Sequence, residues 1–267
     1  MSMLKKKLES IYLQYNQREY VDPDPLLFLY DYPEKKNREI AGFVAACLAY
    51  GRVEQIMKAV SHVLDKLEPS PFEYLIKMRK KDIANDFKGF QYRFAKDTHL
   101  ISLLWGIRQV VRRFDSLENC FYEGWSPEDE TILPGLVYFS QQIDKKNRAG
   151  HLLADPQKKS ACKRSLLYLR WMVRIDTVDP GGWDKIKPCQ LIVPLDTHMH
   201  KIGRMLGFTR RKSSDMKTAL EITRGFKKLE KEDPVKYDFC LTRFGIQRNM
   251  EIDQLSRFIH GSNERIG

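Results

Sequence analysis

Apolar side chains recur every three or four residues along most of this chain, and the strict alternation typical of half-buried strands is nearly absent. The first such stretch contains Leu4, Leu8, Ile11, Tyr12 and Tyr15, and its spacing predicts an amphipathic helix. Similar patterns predict helices over 38–50, 56–67, 100–114, 161–175, 197–206, 214–228, 234–246 and 250–260. About ten short helices joined by brief loops predict an all-α globule, which we expect to have two lobes with a groove between them.

Positive charge is concentrated in one part of the chain. The sequence carries 46 Lys and Arg against 35 Asp and Glu, a net charge of +11. Residues 151–230 contain 17 basic and eight acidic side chains, so they account for most of that excess. A positive field this local favours a polyanionic partner, because each phosphate contact releases condensed counterions. We expect nucleic acid as the partner, with RNA, acidic lipids and acidic proteins as alternatives to DNA.

Cysteine usage and hydropathy argue against several classes of protein. The five cysteines are far apart: Cys47, Cys120, Cys162, Cys189 and Cys240. No two have C-x-x-C spacing, so we expect separate, mostly buried thiols and neither a zinc ribbon nor a disulfide framework. No stretch approaches the roughly 18 consecutive apolar residues of a membrane span, and no apolar signal core follows Lys5–Lys7. We therefore expect a cytoplasmic protein that uses no metal or cofactor.

The segment Gln190–Phe208 carries the most chemical information. An apolar extended run leads to Asp196, after which Met199 and Ile202 lie on one face of a predicted helix. Asp196 has the N-cap position, where its carboxylate can accept backbone N–H bonds and meet the positive end of the helix dipole. Capping alone would explain an aspartate here, so a purely structural role is the alternative to a catalytic one.

The pattern V-P-L-D-T-H-M-H-K-I-G-R-M-L-G at 193–207 resembles the V-D-x-H-V-x-R-V-x-x-R-L-G signature of the helix-hairpin-helix DNA glycosylase superfamily. In that superfamily the aspartate caps this helix and faces the target sugar, so the resemblance implies a catalytic Asp196. Upstream, S-A-C-K at 160–163 resembles the step from hairpin to helix that delivers the lysine of lyase-type members. The resemblance thus implies Lys163 as the catalytic amine. Lys159 is the alternative amine, and a solvated charge without a catalytic role is the alternative for both.

The spacing of this pair is similar to that of the archaeal 8-oxoguanine DNA glycosylase branch. That branch also has an insertion between lysine and aspartate, which in this chain would be Asp176–Pro188. Near the N-terminus, residues 38–51 resemble the early helix of the superfamily, after which a polar segment inserts into the duplex. Arg52, Glu54 and Gln55 occupy that place here.

The hairpin itself departs from the superfamily pattern. It usually reads L-P-G-V-G, with glycines that let backbone N–H groups approach a phosphate. This chain has D-P-Q-K-K-S at 155–160 and no glycine, so either lysines and the helix N-terminus bind phosphate or the hairpin is degenerate. Resemblance and charge together suggest eight DNA-contacting residues: Lys158, Lys159, Arg164, His198, Arg204, Arg210, Arg211 and Arg52. His198 and His200 point about 200° apart on a helix, so we expect no shared metal ion.

Over its whole length the chain is also identified as a member of a bacterial family known as domain of unknown function 2400. The hallmark stretches C-K-R-x-x-x-x-L-R-W-M-V-R and D-T-H-M-H-x-I-G-R stand at 162–174 and 196–204. This second resemblance implies no established activity. We expect residues 1–267 to form a single glycosylase-like unit, with the hairpin and catalytic segment at about 151–210.

The resemblances imply a base-excision glycosylase with lyase activity that removes an oxidised purine, such as 8-oxoguanine, from double-stranded DNA. A base extruded from the stack needs an aromatic or apolar pocket. The candidate walls are Phe90, Tyr92, Phe94, Trp171, Trp183, Tyr237 and Phe239, and Asp238 is either a purine contact or a structural hydrogen-bond acceptor. The alternatives are a non-catalytic DNA- or RNA-binding protein of the same fold and a different enzyme, such as a metal-dependent nuclease or a nucleoside hydrolase. We expect the chain to act as a monomer.

Overall fold

The computed structural model describes residues 2–246 and 250–261 of the chain. These residues form thirteen α-helices, four short 3-10 helices and one two-stranded hairpin, which confirms the all-α class. The α-helices are α1 (Met3–Tyr15), α2 (Lys35–Leu48), α3 (Val53–Asp65), α4 (Pro71–Lys77), α5 (Lys80–Asp86), α6 (Asp97–Phe114), α7 (Leu117–Glu123), α8 (Leu133–Ile143), α9 (Lys163–Val173), α10 (Thr197–Met205), α11 (Met216–Lys227), α12 (Asp238–Ile246) and α13 (Ile252–His260). Within the described ranges, none of these helices is long and apolar enough to cross a membrane.

The remaining regular elements are short. The 3-10 helices cover Arg18–Tyr20, Pro25–Asp31, Gly150–Leu152 and Pro188–Gln190. The strands β1 (Gln91–Tyr92) and β2 (Ala95–Lys96) pair antiparallel, with Gln91 opposite Lys96 and Tyr92 opposite Ala95. Four of the five cysteines are buried and all five are free thiols, as the sequence predicts.

Periodicity predicted the longer helices well and missed the shorter ones. Each periodic stretch contains a helix, namely α1, α2, α3, α6 and α9 to α13. The missed helices α4, α5 and α7 have only seven residues each, too few to show two full turns of a pattern. Helix α8 was also missed, because its apolar residues Leu133, Leu136 and Phe139 are preceded by the polar Glu123–Glu130 loop.

Helix α2 lies at the centre of the molecule, and every residue from Glu39 to Leu48 is buried. It packs against α9, α3, α4, α7 and the 3-10 helix Pro25–Asp31. Small side chains permit this close packing: a Cβ on Gly42 would lie 3.0 Å from Leu29 Cδ2. The buried apolar side chains form one connected core that extends from Leu8 to Leu255.

A buried carboxylate on α2 holds two other elements in place. The Oε2 atom of Glu39 accepts a hydrogen bond from Leu117 N at 3.1 Å, and Oε1 accepts from Glu118 N at 3.2 Å and Trp183 Nε1 at 2.7 Å. Glu39 therefore binds the N-terminus of α7, where backbone N–H groups have no helical partner. Burial raises the pKa of Glu39 to about 7, against the lowering effect of these three donors. The carboxylate is thus ionised in mildly alkaline solution.

We expect Glu39→Gln to lower the free energy of unfolding by about 2 kcal/mol at pH 8, because its amide NH₂ would face an N–H donor and leave it unsatisfied. Urea unfolding of both proteins measures the difference. Glu232→Gln is the control, since Glu232 is exposed and its loss should change stability by less than about 0.5 kcal/mol. Equal stabilities for Glu39→Gln and the wild type would contradict the assigned hydrogen bonds.

Candidate active site

Lys163 and Asp196 lie next to each other although they are far apart in sequence. The Nζ atom of Lys163 is 3.5 Å from Oδ2 of Asp196. Lys163 is the first residue of α9, and Asp196 is the N-cap of α10, so two helix N-termini converge here. The Asp196 side chain is only 14% exposed, while that of Lys163 is 39% exposed and can meet a ligand.

Asp196 also caps α10, as the sequence predicts. Its Oδ1 atom accepts a hydrogen bond from Met199 N at 2.8 Å, which leaves Oδ2 directed at Lys163. The two oxygens therefore have separate partners, and capping does not occupy the oxygen nearest the amine. Lys159, the alternative amine, is exposed on the preceding turn and makes no ion pair with any residue in the described ranges. The geometry thus favours Lys163 as the partner of Asp196.

A cavity of about 330 Å³ opens beside Lys163. Its lining comprises Ala49, Tyr50, Gly51, Leu152, Ala154, Ser160, Cys162, Lys163, Arg164 and Ser165. The walls therefore come from the loop after α2, the 3-10 segment and the start of α9. Trp171, Trp183, Tyr237 and Phe239, candidate walls from the sequence, are buried in the core instead, and Phe94 is exposed outside it.

The backbone immediately before Lys163 is strained. Cys162 has φ of 48°, in the left-handed region that a residue with a Cβ rarely adopts. The turn before Cys162 is stabilised by hydrogen bonds to Asp155. The side-chain atom Oδ1 of Asp155 accepts from Gln157 N at 2.9 Å. Asp155 O also accepts from Lys158 N at 3.1 Å. A helix-hairpin-helix motif would have a full helix directly before this turn. The element found there is the three-residue 3-10 helix Gly150–Leu152.

The other end of α9 is fixed by a buried ionic network that the sequence pattern did not predict. Arg170 pairs with Asp179 at 3.1 Å and with Asp238 at 2.6 Å. Arg174, one turn later, pairs with Asp176, Asp179 and Asp233. Two arginines four residues apart, Arg170 in the apolar second half of α9 and Arg174 at its C-cap, were the signal that could have indicated this network.

The charges of the network are nearly all inside the protein. Burial alone would lower the pKa of Arg170, but Asp179 and Asp238 outweigh it and raise that pKa. Burial raises the pKa of Asp238 to about 6 although Arg170 opposes the shift, and the charge of Asp196 adds to the increase. Asp238 thus couples electrostatically to the Lys163–Asp196 pair. It makes a structural ion pair, and its Oδ1 has no hydrogen-bond partner in the part of the chain that the structure describes.

The predicted DNA-contacting residues fall into two groups. Arg52, Lys158, Lys159, Arg204 and Arg210 have exposed side chains. Arg204 and Arg210 line a cleft of about 440 Å³ together with Lys201, Met205 and Thr209. Lys201, Arg204 and Arg210 make no ion pair within residues 2–246 and 250–261, so their charge is available to an anion.

The second group makes contacts within the protein. Arg164 donates to Cys47 O at 2.6 Å and to His151 O, and its guanidinium lies 4.9 Å from the Tyr50 ring centre. Arg211 pairs with Asp215 at 2.7 Å and donates to Thr218. The imidazole of His198 packs against Gly245, where a Cβ would lie 1.9 Å from Nδ1.

Arg164 has a structural role that the sequence did not indicate. Burial lowers the pKa of its guanidinium, and both donating nitrogens already have carbonyl partners. Arg164 thus joins α9 to the end of α2 and to the loop at His151, and it is not positioned as a free phosphate contact. Within the described ranges, no cluster of three or more His, Cys, Asp or Glu side chains could hold a metal ion.

One family model matches this chain. It is described as "Protein of unknown function (DUF2400)" and covers residues 24–247, which include Lys163, Asp196 and the whole ionic network. No curated protein and no solved structure matches the chain. The function must therefore be argued from the site itself.

We expect Asp238→Asn to lower the free energy of unfolding by about 3 kcal/mol, because it removes a carboxylate from a buried arginine. The fall in melting temperature measures this loss, and the exposed Asp31→Asn is the control. Wild-type stability in Asp238→Asn would contradict a structural role for the Arg170–Asp238 ion pair.

Proposed function

The chain belongs to the DUF2400 family, and we propose that it is a DNA base-excision glycosylase with lyase activity that removes an oxidised purine such as 8-oxoguanine. The Lys163–Asp196 pair is the observation that carries this proposal. The Lys163 amine lies 3.5 Å from the carboxylate of Asp196, and Lys163 lines the cavity of about 330 Å³; this combination supports a lysine-dependent glycosylase. The choice of an oxidised purine rests on the resemblance to the archaeal 8-oxoguanine branch.

Each member of the pair has a distinct role in this chemistry. As the N-glycosidic bond breaks, its electron pair leaves with the base and positive charge builds on the sugar. The Asp196 carboxylate would stabilise that charge electrostatically. The neutral amine of Lys163 would form a bond to C1′, and the departing base would take a proton from water. The lysine nitrogen would then lose a proton to water, and its electron pair would open the C1′–O4′ bond while O4′ takes up a proton, which gives a protonated Schiff base. Loss of a proton from C2′ and departure of the 3′ phosphate would then cleave the strand.

The surroundings of the pair support a DNA substrate. Arg204, Arg210 and Lys201 supply unpaired charge on and beyond α10, the helix that Asp196 caps. Lys158 and Lys159 supply further positive charge on the turn before Lys163. Phosphates on both sides of an extruded nucleotide would thus meet cations from two segments of the chain.

We expect borohydride to trap a covalent adduct between the wild-type protein and a duplex that carries 8-oxoguanine, in the presence of EDTA. Lys163→Gln removes the nucleophile and should abolish trapping while DNA binding persists. Lys159→Gln is the matched control: it should bind DNA more weakly, because a phosphate contact is lost, but it should still trap the adduct at saturating protein. Trapping lost only in Lys159→Gln would move the mechanism to that lysine. Absence of an adduct from the wild type across a panel of lesions would exclude the lyase, and cleavage that requires Mg²⁺ would favour a nuclease.

We expect Asp196→Asn to slow base release about 100-fold or more, because the stabilising charge is lost. Its melting temperature should stay close to that of the wild type, since Asn caps a helix about as well as Asp. Asp215→Asn is the control for loss of a capping carboxylate: Asp215 caps α11 by accepting from Thr218 N at 3.0 Å and has no part in the Lys163 pair. Because Asp215 also pairs with Arg211, the rates are compared at saturating protein. Equal rates of base release for Asp196→Asn and Asp215→Asn would show that Asp196 acts only as a helix cap.

We expect the double variant Arg204→Ala/Arg210→Ala to bind duplex DNA with a weaker salt dependence. The slope of log Kd against log salt concentration should decrease by roughly 1.8, because two phosphate contacts are lost. Fluorescence anisotropy at several salt concentrations measures the slope. Arg211→Ala should change it less, because Asp215 and Thr218 already hold that guanidinium. An unchanged slope in the double variant would place the phosphate contacts elsewhere.

A further inference from the structure

The β1–β2 hairpin carries an exposed phenylalanine at its tip. Among the fourteen phenylalanines of the chain, all of which the structure describes, only Phe94 is mostly exposed, at 67%. Its neighbours in the hairpin, Tyr92 and Ala95, are buried. The other exposed side chains of the hairpin, Gln91, Arg93 and Lys96, are polar. Exposure of a large apolar ring costs free energy in water, and burial of the ring against a partner would recover it.

The hairpin is firmly attached beside the Lys163 cavity. Tyr50, which lines the cavity, donates from its hydroxyl to Tyr92 O at 3.1 Å, and the Tyr92 hydroxyl donates back to Tyr50 O. The rings of Phe94 and His151 pack edge to face, with their centroids 5.5 Å apart. The His151 ring packs in the same way against the Tyr50 ring, with a distance of 4.9 Å between centroids. A continuous row of aromatic contacts thus leads from Phe94 to the cavity wall.

Two arginines, Arg93 and Arg52, lie on the side of the hairpin tip that faces Gly51. The Arg93 guanidinium lies 5.6 Å from the centre of the Phe94 ring. Arg93 also packs against Gly51, where a Cβ would lie 2.9 Å from Arg93 Cδ, and this places the hairpin tip next to the exposed Arg52. Neither arginine has an ion-pair partner in the described part of the chain. An apolar ring among unpaired cations suits nucleic acid better than a lipid or an apolar protein surface, because the phosphates match the cations and the bases match the ring.

We propose that Phe94 is a wedge that enters the base stack of duplex DNA and occupies the space left by the extruded nucleotide. This inference rests on the proposed function for its location, since the extruded sugar would have to reach Lys163. The rigid attachment of the hairpin through Tyr50 and Tyr92 keeps the ring at a fixed position relative to the cavity. Arg93 and Arg52 would meet the phosphates that flank the gap.

The test uses a duplex with a tetrahydrofuran abasic analogue, which cannot form a Schiff base, and 2-aminopurine in the opposite strand. Wild-type protein should bind this duplex more tightly than intact duplex and increase the 2-aminopurine fluorescence, because the wedge disturbs stacking. Phe94→Ala should weaken binding to the abasic duplex roughly 5- to 100-fold, as loss of one stacking contact does, and remove the fluorescence increase. Its affinity for intact duplex should not change. Phe94→Trp should retain both effects.

Two matched variants distinguish the Phe94 wedge from a general effect of exposed apolar side chains and from insertion by the segment after α2. Leu13→Ala removes a side chain that is 72% exposed on α1, and it should behave as the wild type does. If Gln55→Ala abolishes the fluorescence change while Phe94→Ala does not, the inserting residue lies in the segment after α2 and the proposal is overturned. Equal loss of affinity for single-stranded and abasic DNA in Phe94→Ala also overturns it, because that result describes a stacking platform.

The two proposals can fail separately. A preference for abasic duplex that depends on Phe94, without any covalent trapping, retains the wedge and rejects the glycosylase. Covalent trapping together with an unchanged preference in Phe94→Ala retains the glycosylase and rejects the wedge.

Discussion

The buried ionic network at the C-terminal end of α9 is the constraint on which the candidate site depends. Arg170 and Arg174 are withdrawn from water, and such charges are tolerated only when every partner is present. Their carboxylates come from the 176–179 loop and from Asp233 and Asp238, beside and within α12. The network therefore fixes the axis of α9. Lys163 begins the same helix about 10 Å away, two turns before Arg170, so its position relative to Asp196 follows from this fixed axis.

The segment Asp176–Pro188 serves the same purpose. It lies between the two candidate catalytic residues in the sequence, and its apolar side chains Val178, Trp183 and Ile186 are part of the core. Asp179 is fully buried between the two arginines, and Trp183 donates to Glu39 on α2. Gly181 N and Trp183 N donate to Trp171 O and Met172 O at the end of α9, where the carbonyls have no helical partner. This segment thus links α9 to α2 and contributes to the rigidity that a preformed site requires.

Most of the helices and the candidate catalytic pair could be predicted from the sequence. Most of the contacts that hold them in place could not. Periodicity identified the long helices, and the cap position of Asp196 followed from its place before an apolar helix face. Arg164 was predicted to contact phosphate because it is a basic residue in a basic segment, whereas the partners that the structure gives its guanidinium are the carbonyls of Cys47 and His151. Every residue has a backbone carbonyl, so the sequence does not indicate which carbonyls will accept a hydrogen bond from a side chain. The left-handed Cys162 was equally invisible, since only glycine usually marks such a position.

Capping and catalysis by Asp196 are compatible because its two oxygens face different groups. Oδ1 satisfies the Met199 N–H, which fixes the carboxylate plane, and Oδ2 is left toward Lys163. The entropy of orienting the carboxylate is therefore lost during folding, before any substrate arrives. A carboxylate fixed in this way needs no reorganisation when charge develops near it, which is the condition under which electrostatic stabilisation is strongest. The same argument applies to Lys163, whose backbone is set by the strained Cys162 on one side and by the anchored α9 on the other.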